Sequence, residues 1–268
     1  MSVKFVLRHS EERGNAEYGW LKTFHSFATS VYQTTEHEKW GCLRVFNEDR
    51  VDAHTGFGLH PHREFEIFSY LVSGGLEHTD TTGSHEVVKR GGVQMTSAGT
   101  GVRHSEHAHG EEDVYFLQVW AKPSQSGLTP QYFTRYFTEE EKTDKWATIV
   151  APVGTDGVIE KREAPGPTPI HAPLTGYASL ISPSISLSHT IPPNANGTQR
   201  KGFMHVVQKS GYNPGKPNGA HVKLSSSKGN TIELREGDAA YITGDAGVTY
   251  EVQNVGDIVA EVVLFDLE

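Results

Sequence analysis

Two short patterns in this chain have the residue types and spacing of a metal centre. His60-x-His62 is followed, after 41 intervening residues, by His104-x-Glu106. Side chains alternate across a β-strand, so residues two apart point to the same face. Each pair can therefore aim two donors into one interior, and neighbouring strands would bring three imidazoles and one carboxylate together. Three neutral nitrogens and one oxygen suit a borderline divalent ion such as Fe, Mn, Ni, Cu, Co or Zn. Four such ligands on an octahedral ion leave two positions open, as reactions with O₂ or a chelating substrate require. A single HxH pair is common on surface strands, but two H-x-(H/E) pairs beside glycine-rich turns are a stronger signal. Eight of the 15 histidines fall between positions 54 and 109, a local excess that points to this half of the chain.

The elements that must hold these residues read as strands. Gly and Pro make 41 of 268 residues and punctuate short apolar runs such as EIFSYLVSGG, VYFLQVWAKP, DAAYITGDAG and VVLFDLE. Runs rich in Val, Ile, Tyr and Phe between turn residues predict strands. A helix is expected only near 139–150, with Thr138 as N-cap before three glutamates. The fold class is all-β, with two barrels or sandwiches.

A repeat supports two copies of one β-fold. GGVQMTSAGTGVRHSE (91–106) lies over GDAAYITGDAGVTYEV (237–252) at an offset of 146, placing His104 and Glu106 over Tyr250 and Val252. EIFSYLVSGG (66–75) lies over FMHVVQKSGY (203–212) with Gly74 over Gly211, which sets His60 and His62 over Gly197 and Gln199. The expected division is 1–138, carrying the ligands, and 139–268, lacking them.

Several function classes are disfavoured. The lone Cys42 excludes a disulfide framework and any all-cysteine zinc site. A net charge of −9 argues against a broad phosphate-binding face and hence against direct nucleic-acid binding. No apolar run approaches the roughly 18 residues of a membrane helix, and MSVKFVLRHSEERG has no signal-peptide core. The expectation is a cytoplasmic or possibly nuclear protein that is neither secreted nor in the membrane.

The segments GFGLHPHREFEIFSYLVSGGLEH (56–78) and QMTSAGTGVRHSEH (94–107), with YGWLKTFHSF near the start and VVLFDL near the end, resemble the pirin family. In style they are nearest to the bacterial pirin-like quercetin dioxygenases. The resemblance runs from about residue 5 to 268. It implies a bicupin, two double-stranded β-helix (jelly-roll) barrels with metal in the N-terminal barrel only. It also implies His60, His62, His104 and Glu106 as metal ligands, Fe(II) as the usual ion, and a monomer. The implied activity is 2,3-dioxygenation of quercetin or a similar flavonol with O₂, with Glu106 as ligand and base. The alternative implied by mammalian pirin is an iron-redox-dependent transcriptional coregulator with a protein partner. KR (161–162) and QRK (199–201) are too short for a nuclear import signal. A purely structural metal is the third reading.

Other candidates receive plainer readings. Glu66 matches His60 and His62 in parity but is read as a strand or supporting residue, because pirins take their carboxylate from the second motif. His78 is placed near the site mouth in a structural role, and His107 and His109 in a solvated acidic loop. His25 is expected to pack against a barrel, and His171, His189, His205 and His221 to be isolated. Phe57, Phe68, Met95 and Trp120 are candidate pocket walls, although most such residues are core.

Overall fold

The computed structural model describes residues 2–29, 31–194, 197 and 199–268. Among these, the glycine-punctuated runs form 22 strands and a single α-helix. In chain order the first strands are β1 (Val3–Arg8), β2 (Gly14–Glu17), β3 (Leu21–His25), β4 (Leu43–Val51), β5 (Gly56–His62) and β6 (Glu66–Ser73). Next come β7 (Gly75–Asp80), β8 (His85–Lys89), β9 (Gly92–Ser97), β10 (Val102–Ala108), β11 (Val114–Ala121) and β12 (Gln131–Tyr136). Helix α1 (Glu139–Lys142) precedes β13 (Ala147–Pro152), β14 (Thr168–Ile170), β15 (Leu174–Ile181), β16 (Ser186–Thr190) and β17 (Arg200–Val206). The chain ends with β18 (His221–Ser226), β19 (Thr231–Arg235), β20 (Ala239–Gly244), β21 (Thr249–Asn254) and β22 (Ala260–Leu267).

The expected helix over 139–150 is shorter than its sequence suggested. Thr138 caps it through a capping box with Glu141, but the helix stops at Lys142. Asp144 then takes a left-handed φ of 54°, and the β-branched stretch that follows becomes β13, whose Val150–Pro152 pair in parallel with β14. Strand propensity and pairing outweigh the helix start here.

The chain forms two compact units. One comprises Gly14–Phe137 and Ile149–Pro173; the other comprises Met1–Arg13, Thr138–Thr148 and Leu174–Glu268. Each is a pair of antiparallel sheets. The first unit has a sheet ordered β12-β9-β6-β11-β4-β3-β2 and a second ordered β5-β10-β7-β8. The other unit repeats this arrangement, with β1-β20-β17-β22-β15 hydrogen-bonded in that order and a second sheet β16-β21-β18-β19. Together they make a bicupin.

The paired registers correct one expectation. His104 lies opposite His60, and the equivalent pair in the other unit is Tyr250 opposite His189. His60 and His62 therefore correspond to His189 and Ile191, not to Gly197 and Gln199. The glycine register misleads because the connection between β16 and β17 is longer than that between β5 and β6, and because Gly74 and Gly211 are not equivalent. Leu71 and Val206 are the matching residues, since their carbonyls accept from Gly91 and Gly237 respectively.

The two interiors differ in kind. Ser69, Gln94 and Gln118 lie side by side across β6, β9 and β11, while Met204, Ala240 and Leu264 hold the same registers on β17, β20 and β22. The latter three, with Tyr250 and Val252, belong to one buried apolar cluster. One barrel has kept a polar interior that the other has filled with hydrocarbon.

Close approach of β5 to β10 requires Gly56. A Cβ there would meet the Glu106 carbonyl oxygen and the His107 Cα, both backbone atoms that cannot swing aside. Gly56→Ala should destabilise the chain by about 1–3 kcal/mol, read as a lower urea midpoint at unchanged slope. A midpoint equal to wild type would show that β5 can move away freely.

Candidate metal centre

Strand β10 builds the site because it is paired on both edges. His104 lies opposite His60 on β5 and opposite Asp80 on β7. The donor atoms of His60, His62 and His104 all lie within 4.8 Å of one another. The Nε2 atoms of His60 and His104 are 3.1 Å apart. Two nitrogens each about 2.1 Å from one ion at a right angle would stand about 3.0 Å apart, so the spacing fits a shared cation. His60 Nδ1 donates to the Gly58 carbonyl at 2.7 Å, which leaves its Nε2 lone pair facing the cluster.

Burial disfavours the charged form of His62 and His104. Desolvation, reinforced by the neighbouring His60, pushes His104 down to about 2 and His62 down to about 4. A ring that resists protonation offers its lone pair to a metal across the neutral range. The set contains no sulfur, in keeping with one buried cysteine elsewhere.

Glu106 does not join the His60–His62–His104 group directly but gathers with His104 and His78, so that His104 is the residue common to both groups. The β5–β10 register shifts between His104 and Glu106, so that Glu106 faces Phe57 rather than the residue two before His60. Its carboxylate lies within 4.8 Å of the donor atoms of His104 and His78, and all three residues are buried. Two amides hold it: Gln94 Nε2 donates to Oε1, and Gln118 Nε2 donates to Oε2 at 3.1 Å. The amides are themselves oriented, Gln94 Oε1 by the Tyr132 hydroxyl (3.1 Å) and Gln118 Oε1 by Ser69 (3.0 Å). Burial raises the Glu106 carboxyl to about 7 despite these bonds. A buried carboxylate so placed lacks a counter-charge, and a divalent cation between it and the imidazoles would supply one.

The remaining candidates separate clearly. His78 is not at the mouth but fully buried behind the cluster, its Nε2 2.9 Å from Asp80 Oδ2 and its ring stacked on Tyr132 at 4.3 Å. Glu66 belongs to the other sheet. It accepts from Ser97 Oγ (2.6 Å) and from the His171 backbone N–H (3.0 Å), with His171 Nδ1 at 3.4 Å. His171 is thus a partner of Glu66 and not an isolated residue. His189 likewise meets Asp266 at 3.1 Å, and His221 meets Glu233 at 2.9 Å. His107 is exposed, and His109 faces Glu77 at 3.2 Å on the surface. In the other unit His9, Glu11 and Asp238 cluster, but both Asp238 oxygens accept backbone N–H groups of Ser10 and Arg235. Asp238 there closes a turn.

A cavity of about 640 Å³ is lined by none of the four candidate ligands but by Trp120 and Phe57, whose rings lie against those of His62 and His60. Phe57, Phe65 and Trp120 form its aromatic wall, and Thr23, His25, Asn47 and Asp49 line it from β3 and β4. The Trp120 ring meets His62 edge-on at 4.8 Å, so the wall of the cavity is also packing for a donor residue. Phe68 and Met95, expected as further wall, are fully buried core. The amides Gln94 and Gln118 were not singled out in the sequence. Their signal was a lone polar residue inside an otherwise apolar strand, as in VYFLQVWA.

This combination of paired barrels and a nitrogen–oxygen cluster is that of a metal-type cupin. Residues 6–121 match the Pirin family. The chain is 30% identical over 254 residues to a protein of Zymomonas mobilis named putative quercetin 2,3-dioxygenase, covering 95% of this chain and 96% of that one. It is 37% identical over 155 residues to the quercetin 2,3-dioxygenase of Escherichia coli, covering 58% of this chain and 66% of that protein. The crystal structure of bacterial pirin YhhW from Escherichia coli in complex with nickel(II) superposes with a TM-score of 0.79 at 28% identity, over 98% of this chain and 99% of that one. The chain belongs to the pirin family.

The Glu66–His171 pair makes a pH dependence that is separable from the cluster. The bond to Glu66 raises the His171 pKa above its ordinary 6.5, against the opposing effect of burial. A raised histidine contributes stability that is fully present below its unfolded pKa and lost as pH rises through the folded value. Wild type should therefore exceed His171→Asn in urea midpoint most clearly below about pH 6.5, with the gap narrowing at higher pH. A gap independent of pH would assign the effect to packing alone.

Proposed function

We propose that this chain is a metal-dependent dioxygenase of the pirin type, acting on quercetin or a similar enol-bearing aromatic. The proposed ligands are His60, His62, His104 and Glu106, all from the N-terminal barrel, with Fe(II) as the ion suggested by the family resemblance. The C-terminal barrel is proposed to serve the fold without binding metal. The observation that carries the proposal is an aromatic-walled cavity of about 640 Å³, within the 300–1,000 Å³ range of small-molecule sites, whose Trp120 and Phe57 rings also lie against His62 and His60. A sealed cluster would suit a switch or a structural ion; this one adjoins space for a ligand. The names of the Zymomonas mobilis and Escherichia coli relatives support the flavonol and O₂. Every proposed ligand comes from one chain, so no second copy is needed to complete the set.

A bound divalent ion supplies Lewis acidity that lowers the pKa of an enol hydroxyl and orients it for oxidation. The residues around it have distinct duties. His60, His62 and His104 present nitrogen lone pairs, and the Gly58 carbonyl fixes the tautomer of His60. Gln94 and Gln118 hold the Glu106 carboxylate in one orientation, as the group placed to take the hydroxyl proton. Phe57, Phe65 and Trp120 give the aromatic rings of a flavonol an apolar wall that excludes water.

Metal-loaded wild type should consume O₂ when given quercetin, and His62→Ala should fall to the rate of buffer with metal alone. Elemental analysis should show one ion per wild-type chain and a large deficit in the variant. Gln118→Leu, which imports the residue of the other barrel, should weaken metal affinity by about 10–100-fold while the protein remains folded. Equal O₂ uptake by wild type and His62→Ala would overturn the enzyme reading.

A further inference from the structure

The cavity beside the cluster has a polar side whose pattern identifies what it holds. Thr23 and Asp49 are opposite one another on β3 and β4, as are His25 and Asn47, so the four side chains form two adjacent cross-strand pairs on one face. Within each pair a hydrogen bond fixes the geometry: Thr23 Oγ1 donates to Asp49 Oδ1 (2.5 Å), and His25 Nδ1 lies 2.9 Å from Asn47 Oδ1. These bonds leave Asp49 Oδ2 and Asn47 Nδ2 without a protein partner among the described residues, although Asp49 is only 4% exposed. Asn47 is half-buried, and both residues line the same cavity, where a ligand's polar group can pair with the carboxylate oxygen and the amide N–H.

Their place in the barrel relates them to the cluster. Asn47 lies opposite Gln118, the residue whose amide holds Glu106, and Asp49 is two residues further along β4. Two residues of strand span roughly 7 Å, so Asn47 stands level with Gln118 and Asp49 about one ring further along β4. Phe57, Phe65 and Trp120 supply the aromatic lining of the same cavity.

Resting on the dioxygenase reading above, we propose that Asp49 and Asn47 are specificity-determining residues that bind the hydroxyl groups of a substrate's distal aryl ring, selecting polyhydroxylated aromatics. The chemistry selects this class over its neighbours. A phenolic hydroxyl can donate to Asp49 Oδ2 or accept from Asn47 Nδ2, so the two hydroxyls of a catechol would satisfy both atoms. A carboxylate would meet a carboxyl whose charged form burial already disfavours, its pKa pushed up to about 7, and an aliphatic polyol would leave the aromatic wall unused. An unsubstituted phenyl ring would fit the wall but strand both polar atoms, and sites of this kind reject such analogues strongly.

The test compares two flavonols on the metal-loaded protein by calorimetric titration: quercetin, whose pendant ring is a catechol, and galangin, whose pendant ring carries no hydroxyl. Wild type should bind quercetin at least about tenfold more tightly. Asp49→Asn and Asn47→Ala should each bring that ratio towards one while metal content stays at the wild-type value. If both affinities fall together, or the ratio survives both substitutions, or neither flavonol binds wild type, the polar pair does not read the distal ring and the proposal is overturned. O₂ uptake separates this result from the parent reading. A ratio that responds to the substitutions without metal-dependent O₂ consumption would sink the dioxygenase and leave the recognition site standing.

Discussion

Strand β10 is hydrogen-bonded on both edges, and the rest of the site depends on that double pairing. β5 on one side brings His60 against His104; β7 on the other brings His78 against Glu106. A strand held on two edges cannot slip by one residue without turning His104 and Glu106 to the opposite face. Gly56 lets β5 come close enough to complete the pairing. The cluster is therefore a consequence of register. Its low histidine pKa values follow in turn, because the same pairing that gathers the rings also removes them from water.

The second barrel shows what this arrangement costs. At the registers of Ser69, Gln94, Glu106 and Gln118 it carries Met204, Ala240, Val252 and Leu264, all in one apolar core. Both sets of side chains allow the same strand order. The apolar set contributes burial free energy directly, whereas the polar set is tolerable only because nearly every member has a partner. Retaining a polar network in one barrel and not the other is hard to explain by stability. It is readily explained if Glu106 must be held, ionised and aimed, within reach of His104.

Strand parity and the glycine punctuation made much of this legible. His104 and Glu106 share a face, as do His60 and His62, and the all-β architecture follows from the same patterns. What escaped was information carried between strands. The counterparts of His60 and His62 were misplaced because a longer β16–β17 connection broke the register that the glycines suggested. Glu66 matched the ligands in parity yet turned out to serve His171, because parity says nothing about which sheet a strand joins. Gln94 and Gln118 are single polar residues in apolar strands, and only their convergence on Glu106 gives them meaning. The helix at 139–150 failed for a local reason, since a good cap cannot extend a helix into a β-branched run that has a strand to pair with.

A three-nitrogen, one-oxygen set binds most first-row divalent ions, so the proposed ligands by themselves would discriminate weakly. Selectivity in this barrel must then reside in what surrounds them. The bonds from Gly58 to His60 and from the two glutamines to Glu106 fix donor direction, and direction favours ions that accept near-right-angle coordination. Beyond the donors, Trp120 presses against His62 while also facing the cavity. A ligand entering that space would touch the packing of His62, one of the proposed metal ligands. Occupancy of the cavity and geometry of the cluster are mechanically connected through one indole ring. That connection would operate in a redox switch as well as in an enzyme, but only a cavity with hydrogen-bonding atoms of its own gives a reason to fill it. Asp49 and Asn47 supply those atoms, which weights the balance towards a centre that works on what it binds.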